Sequence, residues 1–289
     1  MNGEEPKDDA IRAVAEAVAE SRRYRALDPT VVRRLAREEL RRSRSRDDAV
    51  KRVKRRLHQA VGAYRPGVGG AALARDLERL RTARERDPSG AELRATCQGL
   101  LAQHASTRER LPFLDRFYTA IWDVIGGAPA SLLDLGCGLA PLGLPWMGLP
   151  LSVPYHAIDA DAAAIQLVDG FLSLVGQPHV AESHDLVAPF TAPAAEVALF
   201  LKLVPILDRQ DPDAALRLLR SLHVRHVVLS FPVRSLGGRR RGMETTYRRR
   251  VHSLLADLGS GVEHVAEASV PNELVVVATL RGSNAAPNA

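Results

Sequence analysis

The sequence predicts an α/β fold: a mainly parallel sheet covered on both faces, ending in an antiparallel hairpin and preceded by a basic helical N-terminal domain. Three observations predict it. From Ala130 onward, short apolar runs alternate with helical stretches, the pattern of a doubly covered parallel sheet. The last two apolar runs are joined only by "PN", which reads as a hairpin. Before Ala130, apolar residues recur at helical rather than alternating spacing.

The N-terminal elements follow in order. Ile11, Val14, Ala15 and Val18 form one helical stripe. Val31, Val32, Leu35 and Leu40 form a second, begun by "DPTVVRRL" with Asp28 as cap and Pro29 in the first turn. Val50, Val53, Leu57 and Val61 make a third, and Leu73, Leu77 and Leu80 a fourth that stops before "DPSG". The stretch from Ser89 to Gly127 reads as one long or broken helix pair, with Pro112 near the break. Expected domains are therefore residues 1–108, helical and basic, and 109–289, carrying the sheet.

In the second part, "SLLDLG", "YHAIDAD", "HVAESHD", "EVALFLKLV" and "VRHVVLSFP" are the expected parallel strands. Helices are expected over Asp161–Val175, Asp211–Leu222 and Met243–Leu258, with Asp161 capping the first. "EHVAEASV" and "ELVVVATL" form the closing hairpin.

Charge and composition narrow the function classes. The 289 residues carry a net +6. Between Ser21 and Arg65, sixteen lysines and arginines face five acids, so this segment is more positive than the whole chain. Such a field favours polyanions without choosing one. The apolar runs fall short of the ~18–20 residues of a membrane helix. The polar start "MNGEEPKDDAIR" has no signal-peptide pattern, so a cytoplasmic protein is expected. Two cysteines, Cys97 and Cys137, without CxxC or HExxH, leave no expected metal site.

The candidate site is spread over the strand ends. "DLGCG" ends the first strand in Gly136 and Gly138, where a ligand can approach the backbone closely. The continuation is GxGxxPxG, neither a dinucleotide fingerprint nor a P-loop. Asp159 ends the second strand about 20 residues later, where a carboxylate accepts ribose hydroxyls. Asp185 ends the third and can accept an adenine amino group. An adenosyl group without a phosphate cradle fits S-adenosylmethionine better than a dinucleotide. Lys202 ends the fourth strand, either facing the site or snorkelling to water. Gln210 either points back to the cofactor or opens the next helix. "HASTRER" (His104–Arg110) holds an arginine able to grip a carboxylate bidentately, or is a solvated helix face. "FPVRSLGGRRRGM", after the fifth strand, sets Arg234, Arg239, Arg240 and Arg241 among glycines at the site edge.

Five separated motifs, "HASTRERL", "DLGCGLAPL", "AIDAD", "LKLVPILDRQ" and "FPVRSLGGRRRGM", occur in one order along the chain. In them the sequence resembles the aminoglycoside-resistance 16S ribosomal RNA guanine-N7 methyltransferases of the actinomycete producer type. Ala140 departs from that pattern, which has asparagine in the glycine motif. The resemblance implies a Rossmann-like class I methyltransferase sheet of seven strands with a terminal antiparallel hairpin, behind a helical domain that docks the small ribosomal subunit. It implies S-adenosyl-L-methionine as donor and N7 of the guanine at position 1405 as acceptor. Carried over by motif, the cofactor contacts are His104, Ala105, Ser106, Arg110, Gly136, Asp159, Asp185, Leu186, Leu201 and Gln210; Tyr64 is added by position.

Guanine N7 carries a free lone pair at neutral pH, so no general base is required and catalysis rests on positioning. N7 lies in the deep groove of A-form RNA, so the base must be exposed, as in base flipping. Lys202 and the Arg234–Arg241 loop are the expected holders of that base, and Asp185 the carboxylate nearest the transferred charge. Arg52, Lys54 and Arg55 are the expected phosphate contacts of the N-terminal domain. The expected partner is 16S rRNA in the assembled 30S subunit, met by an enzyme expected to be a monomer. Two alternatives stand: a methyltransferase for another rRNA position such as an adenine N1, and a non-catalytic RNA-binding protein with this fold.

Overall fold

A computed structural model of the chain describes residues 5–60, 70–87, 89–233 and 243–281. Three helices come first: α1 (Asp8–Ala19), α2 (Pro29–Leu40) and α3 (Arg46–Ala60). Asp28 caps α2 as expected, accepting from the Thr30 backbone N–H at 2.8 Å, with Pro29 in the first turn. The stripes of these helices close on one another in a cluster running from Ile11 through Val18, Val31, Leu35 and Val53 to Leu57.

Next come α4 (Gly70–Arg86) and α5 (Ala91–Leu101), then a one-turn helix α6 (Ala105–Arg108) and α7 (Leu114–Ile125). The expected break falls where "HASTRERLPF" runs, with Pro112 in a 3₁₀ turn over Leu111–Phe113. Apolar packing runs across the expected boundary at residue 108. Leu80 of α4 and Leu93, Cys97, Leu100 and Leu101 of α5 share one apolar cluster with Phe117, Tyr118, Leu132, Tyr155 and Phe171. Gly170 lets α4 pack close: a Cβ there would lie 2.5 Å from Leu77 Cδ2. Packing thus divides the described residues after α3, and α4 and α5 cover the sheet.

The sheet contains β1 (Leu132–Leu135), β2 (Tyr155–Asp159), β3 (His179–Ser183), β4 (Ala195–Leu201), β5 (Val224–Pro232), β6 (Val262–Ala268) and β7 (Glu273–Leu280). Its order is β3-β2-β1-β4-β5-β7-β6. The first five are parallel and β7 runs antiparallel to both β5 and β6. The hairpin turns at Asn272, whose φ of 59° an asparagine tolerates. Short α8 (Leu144–Met147) follows β1, and α9 (Ala162–Val175) follows β2. After β4 come α10 (Val204–Gln210) and α11 (Ala214–Arg220); α12 (Met243–Leu258) precedes the hairpin. β1 and β4 adjoin where strand order reverses, so the crevice at their carboxyl ends is the favoured ligand position. Among the described residues, no helix is long and apolar enough to cross a membrane.

Candidate functional site

At that crevice β1 ends and the chain turns sharply. The Gly136 and Cys137 N–H groups both donate to the Ile158 carbonyl, at 2.7 and 3.1 Å. Gly136 and Gly138 have φ of 65° and 52°, and a Cβ on Gly136 would meet Leu203 Cδ1 at 2.7 Å. Only glycine fits both demands. Asp159, at the end of β2, locks the turn: its Oδ2 accepts from Gly138 N and its Oδ1 from Asp161 N, each at 2.8 Å. Burial pushes the Asp159 carboxyl up to about 6, against these backbone hydrogen bonds. The carboxylate still has lone-pair capacity for a ligand donor. Asp161 is the expected α9 cap, accepting from Ala163 N and Ala164 N.

A cavity opens in front of this turn. His104, Ser106, Gly136, Asp159, Asp185, Leu186, Leu201, Lys202 and Gln210 all line it, although they come from five separate segments. His104 Nδ1 lies 2.8 Å from Ser106 Oγ, and its ring covers Gly138. Ala105 is buried between these two liners and is not itself in the wall.

Arg110 does not line this cavity either. Its guanidinium is 2% exposed and forks onto Glu273, with Nη2–Oε1 at 2.6 Å and Nε–Oε2 at 2.9 Å. The expected free carboxylate grip is thus an internal ion pair, completed by Ser230 Oγ and the Phe117 ring. Glu273 opens antiparallel β7 opposite Pro232, which brings it to the carboxyl edge of the parallel strands. Burial pushes its carboxyl up, but Arg110 and Lys202 outweigh this and hold it below the ordinary value.

Lys202 is buried in left-handed backbone, at φ 60°. Its Nζ donates to Glu109 Oε2 at 2.6 Å and the Ser106 carbonyl at 3.2 Å, and lies 3.6 Å from Glu273. The snorkelling alternative is therefore replaced by a buried charge cluster at the cavity wall.

Asp185 reaches the wall with its carboxylate already engaged. Arg34 of α2 donates to it through Nε at 2.6 Å and Nη2 at 3.2 Å. Arg34 Nη2 also holds Gln210 Oε1 at 2.9 Å. The carboxylate expected to accept an adenine amino group is thus shared with an arginine, and its neighbour Leu186 also lines the cavity. Val31 and Leu57, read from sequence only as core stripe, also line the cavity.

Of the expected RNA contacts on α3, Lys54 is half-buried and Arg55 exposed. Arg52, whose side chain is 38% exposed, pairs through Nε with Glu39 Oε2 at 2.6 Å. Tyr64, Arg234, Arg239, Arg240 and Arg241 lie outside the described residues. Both cysteines are buried; burial pushes the Cys97 thiol up to about 12 and Cys137 well up. Ala140 packs into the helix-side apolar cluster and does not line the cavity.

Comparison with known proteins supplies the remaining findings. Residues 20–277 match the family model described as Ribosomal RNA methyltransferase (FmrO). A 16S rRNA (guanine(1405)-N(7))-methyltransferase of Frankia casuarinae is 39% identical over 275 residues, 94% of each chain. One of the same name from Micromonospora echinospora is 36% identical, over 93% of this chain and 97% of the relative. The crystal structure of 16S rRNA methyltransferase RmtF in complex with S-adenosyl-L-homocysteine superposes with a TM-score of 0.79 at 31% identity, covering 95% of this chain and all of that one.

Proposed function

The chain belongs to the ribosomal RNA methyltransferase (FmrO) family, and from that premise we propose how its residues methylate N7 of guanine 1405 in 16S rRNA. The donor is S-adenosyl-L-methionine, which supplies an electrophilic methyl on a sulfonium. The observation that carries the reading is the convergence of separated sequence motifs on one cavity at the switch point of the sheet.

The residues present fit this cofactor. Gly136 and Gly138 present bare backbone at the cavity wall, where a Cβ would press on Leu203 and His104. Asp159 offers lone pairs for ribose hydroxyls, and Leu186 and Leu201 give apolar surface for a purine. Asp159 and Asp161 line the cavity and suit a cation. His104 and Ser106 close it from the α5–α7 side. Arg110 acts one layer down: with Glu273 it anchors Lys202 and the edge of β5.

Lys202 is the group we assign to the target base. It stands at the carboxyl end of β4 with its charge balanced by Glu109, whose side chain is half-exposed. It can orient a flipped guanine without removing a proton, because N7 has none to lose. The α1–α3 unit is the proposed docking surface for the 30S subunit, with Lys54 and Arg55 as phosphate contacts and Arg234, Arg239, Arg240 and Arg241 beside the flipped base. The enzyme acts as a monomer. The N7-methylated guanine is cationic, so it repels a cationic aminoglycoside and loses a hydrogen-bond acceptor; resistance follows.

The test is transfer of labelled methyl from S-adenosylmethionine into 30S subunits, followed by digestion to nucleosides. The expected product is 7-methylguanosine. Label in 1-methyladenosine, or none at all, would overturn the reading.

A further inference from the structure

Resting on that assignment of the cavity, the geometry points to Arg34 as a positioning residue that makes cofactor affinity depend on how the N-terminal helical unit is seated. Four observations carry this. Arg34 forks onto Asp185 with two hydrogen bonds, at 2.6 and 3.2 Å. Asp185 Oδ1 also accepts from Val187 N at 3.1 Å, so the same carboxylate shapes the turn that presents Leu186 and Val187 to the cavity. Arg34 holds the Gln210 side chain while Arg56 of α3 donates to the Gln210 carbonyl at 3.1 Å. Val31, one turn before Arg34, and Leu57 are themselves cavity wall.

The unit is thus fixed to both lips of the cavity, after β3 and at the end of α10. A third attachment lies beside Asp159. Leu27 and Asp161 form an antiparallel bridge, Asp28 N donates to the Ala160 carbonyl at 2.8 Å, and Ser183 Oγ donates to Asp28 Oδ2 at 2.9 Å. Behind Arg34, Glu38 and Glu39 tie it to Arg56 and Arg52 across α2 and α3. A force on the exposed face of α3 therefore reaches the adenosine end of the cavity through charged forks rather than slack side chains. If the unit docks RNA, cofactor and subunit bind reciprocally: each strengthens the other by one shared factor.

The experiment titrates S-adenosylhomocysteine into the full-length protein by calorimetry, with and without saturating 30S subunits. Arg34→Ala is expected to weaken the ligand about tenfold or more, as loss of a charge-assisted fork implies. In methyl-transfer assays the loss falls on the cofactor KM more than on kcat. Adding Asp185→Asn to Arg34→Ala costs little more than either change alone, because the two groups act as one contact. Wild type binds the ligand at least ~5-fold more tightly on the subunit, and Arg34→Ala reduces that factor toward one. Arg34→Lys keeps the charge without the fork; it decides the matter if the alanine variant does not fold, and is expected to give an intermediate loss. Ligand affinity within twofold of wild type in the folded variants, or an undiminished linkage factor, would overturn the proposal, as would a lowered melting temperature alone. A wild-type protein that fails to bind S-adenosylhomocysteine would instead overturn the cofactor assignment itself.

Discussion

Two arginine–carboxylate forks of similar geometry sit on opposite sides of the cavity. Arg110–Glu273 lies inside the sheet-bearing domain, both side chains 2% exposed. Arg34–Asp185 joins the N-terminal unit to the cavity lip, with 16% and 3% exposed. In the first, every neighbour belongs to the sheet-bearing domain, so the pair acts on stability. In the second, the partners belong to bodies with separate apolar cores, so the pair reports where one body sits on the other. The N-terminal core is small, and small cores lean on external ties. The same chemistry is structural in one place and transmissive in the other.

The largest expected effect separates these roles. Arg110→Ala leaves Glu273 charged and buried, and should cost about 3–5 kcal/mol of stability, read as a large fall in melting temperature. Arg34→Ala, nearer water, should cost less stability and more cofactor affinity. A sharp loss of stability at Arg34 with cofactor affinity intact would erase the distinction.

Next is Asp159→Ala, which should abolish measurable S-adenosylhomocysteine binding while 30S affinity without cofactor persists; near-wild-type cofactor affinity would remove the ribose assignment. The pH dependence of wild type sharpens this. The Asp159 carboxyl sits at about 6, raised by burial. Hydroxyl donors require its ionised form, so cofactor affinity should fall below that pH, by about tenfold per unit, and level off above it. Its effect on folding has the opposite sense: being raised, it favours the fold at low pH and loses that contribution as pH rises toward 6.

A smaller effect is expected on the outer face. Lys54→Glu with Arg55→Glu should weaken 30S binding and flatten its salt dependence, with cofactor affinity on the free enzyme unchanged. Unaltered salt dependence would remove α3 from the docking surface. The smallest concerns Asp134, which burial raises to about 7 and whose Oδ2 accepts from Tyr155 Oη at 2.7 Å. Its contribution to stability is full below the unfolded value of 3.8 and fades as pH rises through 7. Asp134→Asn should therefore raise the melting temperature at pH 8 relative to wild type, and by less at pH 5. Equal shifts at both would show that the charge is irrelevant.

Local signals were legible in the sequence because their causes are local. Asp28 and Asp161 cap the helices that their neighbours predict, Asn272 turns the hairpin, and the glycines of "DLGCG" end β1 as a cradle. What stayed hidden depends on partners far along the chain. Arg110 finds Glu273 163 residues away, and nothing in "HASTRER" marks that glutamate. The stripes of α4 and α5 look alike whichever core they face, so their packing against the sheet-bearing domain is not legible in them. Val31 and Leu57 serve the N-terminal core and the cavity wall at once, and a helical stripe carries no sign of the second duty. Arg34 and Arg52 belong to a basic block that suggested only RNA, until Asp185 and Glu39 appeared opposite them.

The most direct test of the account is the position of the methyl group. Purified 30S subunits treated with enzyme and S-adenosylmethionine are reduced with borohydride, cleaved with aniline and copied by primer extension. One new stop is expected, immediately 3′ of guanine 1405, that requires cofactor and disappears with Asp159→Ala. A stop elsewhere, or none despite cofactor binding, would contradict it.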